Sequence, residues 1–213
     1  MNDKIYIYPT DTVWGVGGSI YSKVAFDRVM QIKGIISPRP VSILLSSIEQ
    51  MYDFINRGLS RRDIQFSNEQ FLRDFFQLGS SLGVDLALLD ISRIPRYIYQ
   101  DSDFVSFRCL DARNVGKFSW VRRICEEVGA PIVTTSLNRT TDPPIVDYLQ
   151  ARSFQQKYAV DAILVDDHEA ANFIPSGKAS TIVRLDAVGA VHIIRQGEHL
   201  DELKKLFEKY FLL

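Results

Sequence analysis

The alternation of apolar runs and amphipathic stretches predicts strands and helices that follow one another along the chain. Short runs rich in β-branched and aromatic residues, bounded by polar residues, Gly or Pro, are typical of strands. The strands predicted in this way cover residues 4–8, 41–46, 84–91, 103–109, 131–136, 160–165, 180–185 and 190–195. In the fourth of these, Val105, Phe107 and Cys109 share one face. Ser106 and Arg108 share the other, so these polar side chains are expected on one face of the sheet.

Apolar residues that recur about every three to four positions predict helices between the strands. One helix is expected over about residues 21–33, with its end at Gly34. A second opens at residues 67–70, where Ser-Asn-Glu-Gln resembles a capping box. The apolar positions that define the second, third and fourth predicted helices are Phe71, Leu72, Phe75 and Phe76; Phe118, Val121, Ile124, Cys125 and Val128; and Leu200, Leu203, Phe207 and Phe211. Because strands and helices alternate without a repeat or a linker, one α/β domain is expected over residues 1–213.

Composition narrows the class of protein without indicating a partner. The 213 residues are 46% apolar and 24% charged, which is typical of a soluble globular protein. A net charge of −1 gives no bulk support for a nucleic-acid or membrane partner. No apolar run approaches the ~20 residues of a membrane span, and residues 1–4 lack a signal-peptide pattern, so a cytoplasmic location is expected. Cys109, Cys125 and the three scattered histidines lack the spacing of a zinc site, so no metal centre is expected.

The segment from Tyr8 to Gly18 concentrates polar chemistry just after the first predicted strand. It holds the hydroxyls of Thr10 and Thr12, one carboxylate at Asp11, and three glycines. Glycines where a strand gives way to a loop let backbone N–H groups approach a ligand closely, and hydroxyls add hydrogen-bond donors. This pattern predicts a loop that binds a phosphate or an amino-acid carboxylate. The alternative is a Gly-rich turn without a ligand.

Four further segments place charged or hydroxyl groups beside predicted strand or helix ends. In residues 33–40, Lys33 and Arg39 are candidate phosphate ligands, although on this segment alone a solvated helix end is the favoured explanation of the lysine. Residues 131–138 form an apolar strand that ends in hydroxyl and amide groups, and ligands of open α/β sheets bind at such ends, although a turn whose hydroxyls bond its own backbone is the alternative. Residues 175–183 contain Ser-Gly-Lys but continue as a strand, which excludes a Walker-type phosphate loop. The fourth segment ends a strand at Arg195, a position where a surface charge is the ordinary interpretation.

Taken in chain order, these segments resemble the YrdC/YciO family of threonylcarbamoyl-AMP synthases over nearly the whole sequence. The family's Tyr-Pro-Thr-Asp/Glu-Thr-Val-Tyr-Gly-Leu-Gly motif is similar to the segment that begins at Tyr8, with Trp14 and Val16 in place of Tyr and Leu. The matching segments are Tyr8–Gly17, Lys33, Phe107–Leu110, Thr134–Thr141, Ser180–Val183 and Arg195–Gly197.

The resemblance implies an α/β fold, a twisted and largely open mixed sheet with flanking helices and a concave ligand cavity. It also implies condensation of L-threonine, bicarbonate and ATP, normally with Mg²⁺, into threonylcarbamoyl-adenylate and pyrophosphate. Partner enzymes would then modify a tRNA adenosine. The residues that the resemblance places in the site are Lys33 and Arg108 for catalysis; Thr10, Thr12, Ser136 and Asn138 for substrate; and Lys33, Ser136, Asn138, Ser180 and Arg195 for ATP. Catalysis would then rest on positioning and charge neutralisation without a protein nucleophile, and Asp11 would organise the loop.

Three departures from the family pattern fall on segments expected to contact ligands. Ile35 stands where the family's Lys-x-Arg motif has Arg, and Leu86 stands at the Thr of a Pro-Gly-Pro-x-Thr motif matched to residues 82–86. Thr140-Thr141 replaces a Ser-Gly pair. Arg39, on a loop stiffened by two prolines, is a candidate replacement for the missing Arg.

A binding protein of the same fold is the alternative to an active synthase. Such a paralogue would hold a nucleotide or double-stranded RNA without the condensation. Its RNA-binding form is supported by the basic clusters Arg57, Arg61 and Arg62, and Arg122 and Arg123, although solvated helix faces explain these clusters better.

Overall fold

The fold is built on one open mixed sheet flanked by helices, as predicted. The computed structural model describes residues 2–35, 40–56, 58, 68–112 and 116–211. Within these ranges the strands are β1 Ile5–Pro9, β2 Trp14–Gly18, β3 Ser42–Leu45, β4 Ser81–Asp85, β5 Phe104–Cys109, β6 Ile132–Ser136, β7 Ile163–Leu164, β8 Ile182–Leu185 and β9 Val191–Arg195. The helices are α1 Lys23–Lys33, α2 Glu49–Tyr52, α3 Glu69–Gln77, α4 Arg96–Tyr99, α5 Ser119–Val128, α6 Tyr148–Tyr158, α7 His168–Ala171 and α8 Leu200–Phe211.

The strand order explains why the sheet is mixed. It runs β7-β1-β2-β6-β3-β5-β4-β8-β9. The pairs β1–β7, β3–β5 and β4–β8 are parallel, and the other neighbours are antiparallel. The two edge strands β7 and β9 do not pair with each other, so the sheet stays open.

Alternating side chains divide the core between the two faces of the sheet. Ile5 and Ile7 of β1 join a large apolar cluster that includes side chains of α1, α3, α4, α6 and α8. Tyr6 and Tyr8 point to the other face and join a smaller cluster with α5 and α7. The small cluster covers only part of its face, which leaves room for a cavity on the remainder.

The hydrophobic pattern located most elements but not their lengths. The predicted strand at 84–91 is wrong in register, since β4 ends at Asp85 and two short 3₁₀ turns follow at residues 86–88 and 91–93. The strand predicted at 160–165 contains only the two residues of β7. Helix α3 begins after Asn68, whose side-chain oxygen accepts the N–H groups of Gln70 and Phe71; Ser67 lies outside the described residues.

From Trp14 onward, the glycine-rich segment after β1 is strand β2 and not a loop. β2 pairs with β1 on one side and with β6 on the other. A Cβ on Gly17 would lie 1.8 Å from the carbonyl oxygen of Val133 in β6. The glycine is required by this close approach of backbones, since Gly17 does not adopt a positive φ.

Replacing Gly17 with Ala is expected to lower the free energy of unfolding by about 3 kcal/mol, because the methyl group must push β2 from β6. Urea denaturation of the variant and wild type measures this. Gly129→Ala is the control, since Gly129 has φ +71° but a Cβ there would meet no described atom within 4 Å. It should cost only about 1 kcal/mol, for backbone strain. Equal costs for the two variants would contradict the steric explanation.

Candidate functional site

A cavity of about 390 Å³ lies on the sheet face that also carries the smaller apolar cluster. Ser42 and Thr134 line it, while Leu44 and Ile132, two residues along the same strands, pack in that cluster. The polar residues that line the cavity are Thr10, Thr12, Ser42, Ser81, Arg108, Thr134, Thr135, Ser136, Asn138, Ser180 and Arg195. The structure therefore brings together seven residues predicted for the site, which are Thr10, Thr12, Arg108, Ser136, Asn138, Ser180 and Arg195.

The hydroxyls of the two threonines after β1 differ in their remaining capacity to form hydrogen bonds with a ligand. Thr10 Oγ1 donates to the Val13 carbonyl at 2.6 Å and accepts the Val13 N–H at 3.2 Å, so it organises the turn between β1 and β2. Within the described residues, Thr12 Oγ1 makes only long contacts, 3.3 Å to Thr10 Oγ1 and 3.5 Å to Arg108 Nη1. Of the two, the Thr12 hydroxyl retains more capacity to bind a ligand.

Two arginines from different strands give the cavity positive charge. Arg195 of β9 donates from Nε to the Ser180 carbonyl at 3.0 Å and from Nη2 to Ser180 Oγ at 2.9 Å. Arg108 of β5 donates from Nη2 to Asp11 Oδ1 at 2.5 Å and to the Gly79 carbonyl at 3.0 Å. Burial and the nearby charge of Arg108 lower the pKa of Arg195. An anion bound between these groups would relieve their repulsion.

Lys33 lies behind the cavity wall, at the end of α1. Its Nζ is within hydrogen-bond distance of four oxygens, Ser136 O (2.6 Å), Asn138 Oδ1 (2.8 Å), Ser136 Oγ (3.2 Å) and Asn138 O (3.2 Å). Three N–H groups thus serve protein acceptors. Burial lowers the pKa of this amine to about 8. The lysine supports the Ser136–Asn138 wall directly, and only its charge is available to a ligand in this arrangement.

The loop after β6 contacts the end of α1 through the backbone of Lys33 as well as through its side chain. Thr140 donates from its backbone N (2.9 Å) and its Oγ1 (3.1 Å) to the carbonyl of Lys33. Thr141, which replaces the Gly of the family pattern, has φ +90°. A β-branched residue in this region is strained, so the chain keeps a glycine-like backbone conformation without the glycine.

The other departures from the family pattern lie away from the cavity. Ile35 and Leu86 are partly buried against the large apolar cluster. None of residues 82–86, which the sequence matched to Pro-Gly-Pro-x-Thr, lines the cavity, and the chain reaches the site a few residues earlier, through Gly79 and Ser81. The sequence match did not identify Gly79, which has a positive φ. Its position just after an amphipathic helix is the sequence signal that indicates such a conformation.

Of the other predicted basic residues, the structure describes Arg122 and Arg123. Arg39, Arg57, Arg61 and Arg62 lie outside the described residues. Arg122 contacts Asp111 at 3.3 Å, and Arg123 forms an ion pair with Asp167. These acidic partners offset the charge of the second basic cluster.

Two further findings concern metals and membranes. Among the residues that the structure describes, no group of three or more His, Cys, Asp or Glu side chains could hold a metal ion. No helix within the described ranges has the length and apolar character needed to span a bilayer.

Comparison with known proteins gives one family. The Sua5/YciO/YrdC model, described as telomere recombination, matches residues 1–197. A threonylcarbamoyl-AMP synthase of Xanthomonas axonopodis pv. citri is 30% identical over 141 residues, 66% of this chain and 67% of the relative. The structure of P. abyssi Sua5 complexed with L-threonine has a TM-score of 0.72 at 19% identity and covers 98% of this chain.

E. coli YciO has a TM-score of 0.61 at 16% identity, covering 91% of this chain and 83% of YciO. The present chain spans only 55% of P. abyssi Sua5. At these identities the structural likeness shows a shared fold.

Replacing Thr141 with Gly is expected to raise the free energy of unfolding by about 1 kcal/mol, because relief of strain exceeds the added flexibility of the unfolded chain. Thermal and urea denaturation measure the change. Thr140→Gly is the matched control and should be destabilising, since it loses the hydroxyl bond to Lys33. A Thr141→Gly variant that is less stable than wild type would contradict the interpretation that the Thr141 backbone is strained.

Proposed function

This chain belongs to the Sua5/YciO/YrdC family, and from that membership we propose that it condenses L-threonine, bicarbonate and ATP into threonylcarbamoyl-adenylate. Pyrophosphate and water are the other products, and partner enzymes would pass the threonylcarbamoyl group to a tRNA adenosine. The observation that carries the proposal is the approach of Arg108 and Arg195 to one hydroxyl-lined cavity. Such a cavity suits ligands that bring several negative charges.

The cavity offers different chemistry at its two ends. Thr12 and Arg108 would hold the threonine carboxylate or the carbamate, since among the described residues Arg108 Nη1 makes only the 3.5 Å contact with Thr12. Arg195 and Ser180 would bind phosphate oxygens. Ser136 and Asn138 would add neutral hydrogen bonds to either substrate.

The reaction needs positioning more than chemical participation by the protein. The threonine nitrogen forms a bond to the bicarbonate carbon, and water leaves. A carbamate oxygen then attacks the α-phosphorus of ATP, and the bond to the bridging oxygen breaks to release pyrophosphate. Arg195, with the charge of Lys33 behind the wall, would stabilise the pyrophosphate. Mg²⁺ would enter with the ATP phosphates, as this ion commonly does, since the described residues offer no acidic cluster to hold it.

A nucleotide-binding paralogue with weakened catalysis is the second candidate. Two observations favour it: Ile35 supplies no charge, and the Lys33 amine is engaged by four protein oxygens. Double-stranded RNA has less support, because Arg122 and Arg123 already contact carboxylates. Arg39 stays a candidate replacement for the missing arginine on the sequence alone.

Exchange of pyrophosphate into ATP, dependent on threonine and bicarbonate, tests the proposed reaction. Arg195→Ala is expected to lower the rate by about 10²–10³-fold, because a charged donor to the phosphates is lost. Arg123→Ala, an arginine outside the cavity, should leave it unchanged. Wild-type protein that is stabilised by ATP but shows no exchange would favour the paralogue. A wild-type protein that shows neither exchange nor stabilisation by ATP would contradict both the synthase and the nucleotide-binding paralogue.

ATP affinity is expected to weaken as pH rises from 7 to 9.5, because Lys33, with its pKa lowered to about 8, loses its charge over this range. A weakening of about tenfold corresponds to one partly screened charge. Titration calorimetry in the absence of bicarbonate measures it. Lys33→Gln should bind more weakly at pH 7 and vary little with pH. A wild-type affinity that is independent of pH would show that this charge does not reach the nucleotide.

A further inference from the structure

Asp11 forms an ion pair with Arg108 beside the cavity. Asp11 Oδ1 lies 2.5 Å from Arg108 Nη2, and their side chains are 23% and 11% exposed. The backbone that follows this carboxylate is fixed, since the carbonyls of Asp11 and Thr12 accept the N–H groups of Ser176 (2.9 Å) and Gly177 (2.8 Å). The carboxylate is therefore held by more than the turn in which it lies.

Gly79 provides space for the carboxylate. A Cβ at this position would lie 2.2 Å from Asp11 Oδ2, and the residue has φ +67°. Its carbonyl also accepts a hydrogen bond from Arg108 Nη2 at 3.0 Å. Three separate segments, the β1–β2 turn, the entry to β4 and strand β5, thus meet at one guanidinium.

These contacts leave specific donors of Arg108 for a ligand. Both Nη2 protons have acceptors, Asp11 and the Gly79 carbonyl. Within the described part of the chain, Nη1 has only its 3.5 Å contact with Thr12, and the buried Nε has no partner. A guanidinium fixed at Nη2 presents Nη1 in a set direction, so that Nη1 can donate a charge-assisted hydrogen bond to a carboxylate oxygen.

From this geometry we propose that Asp11 is a positioning residue, which orients Arg108 toward the carboxylate or carbamate of the amino-acid substrate. The inference rests on the proposed function for the identity of that substrate. It gives Asp11 a role beyond organising its own turn, and it gives Gly79 a role in the same contact.

Steady-state kinetics separate positioning from a purely structural role. Asp11→Asn is expected to raise the KM for L-threonine about tenfold, with the KM for ATP within about twofold of wild type. Asp11→Glu should restore most of the affinity, because it keeps the charge. Gly79→Ala should act in the same direction by displacing the carboxylate, and the double variant should be no worse than the poorer single variant. Asp85→Asn, which breaks an Asp–Arg contact with Arg184, is the matched control and should leave both KM values unchanged.

Nuclear magnetic resonance of ¹⁵N-arginine-labelled protein tests the contact without catalysis. Arg108→Lys identifies the Arg108 signal by its loss. Rotation of the Arg108 guanidinium should be slow in wild type and faster in Asp11→Asn. Unchanged rotation would overturn the proposal even in an active enzyme, as would equal increases in both KM values. An inactive wild type whose Arg108 rotation still depends on Asp11 would overturn the proposed function and keep the positioning contact.

Discussion

The cavity depends on the buried ammonium of Lys33. This group joins the end of helix α1 to the backbone and side chains of Ser136 and Asn138, more than 100 positions later in the chain. The Lys33 carbonyl accepts two bonds from Thr140 in return. Because an unsatisfied buried polar group costs about 1–3 kcal/mol, moving either segment would expose several such groups together. The helix end and the cavity wall therefore hold each other in place.

The charge of the cavity is a local property that the overall composition hides. A formal net charge of −1 coexists with two arginines near one small cavity and a buried lysine behind its wall. Asp11 offsets part of this charge at the Arg108 end. Burial and Arg108 lower the pKa of Arg195, which has no carboxylate contact of that kind among the described residues. The Arg195 end is thus the one where an anionic ligand would gain most from neutralising charge.

The sequence pattern predicted the features that alternating side chains determine. It missed the elements and contacts that depend on the backbone or on few buried side chains. Ser106 and Arg108 could be assigned to one face because strands alternate, and the hydroxyls that end the strand at 131–136 were singled out because ligands bind at such ends. Strand β2 was missed because Gly15, Gly17 and Gly18 carry no side chains to show a period. Helix α6 was missed because its buried residues are Ala151 and Phe154, too few to show a helical period. The contacts of Lys33 could not be predicted, since two of its acceptors are backbone carbonyls, which exist at every residue.

The chain lacks an arginine at position 35, but Arg195 supplies a firmly held charge at another part of the cavity wall. Ile35 packs against the apolar cluster, so the described end of α1 contributes charge only through Lys33. Arg195 is held by both the carbonyl and the hydroxyl of Ser180. The nearby backbone is fixed as well, since Gly197 N donates to Thr181 Oγ1, which donates to the Glu198 carbonyl. Under the proposed function, a donor held this firmly would lose little entropy on binding phosphate, so the β8–β9 side would be the part of the cavity best prepared to replace the missing arginine.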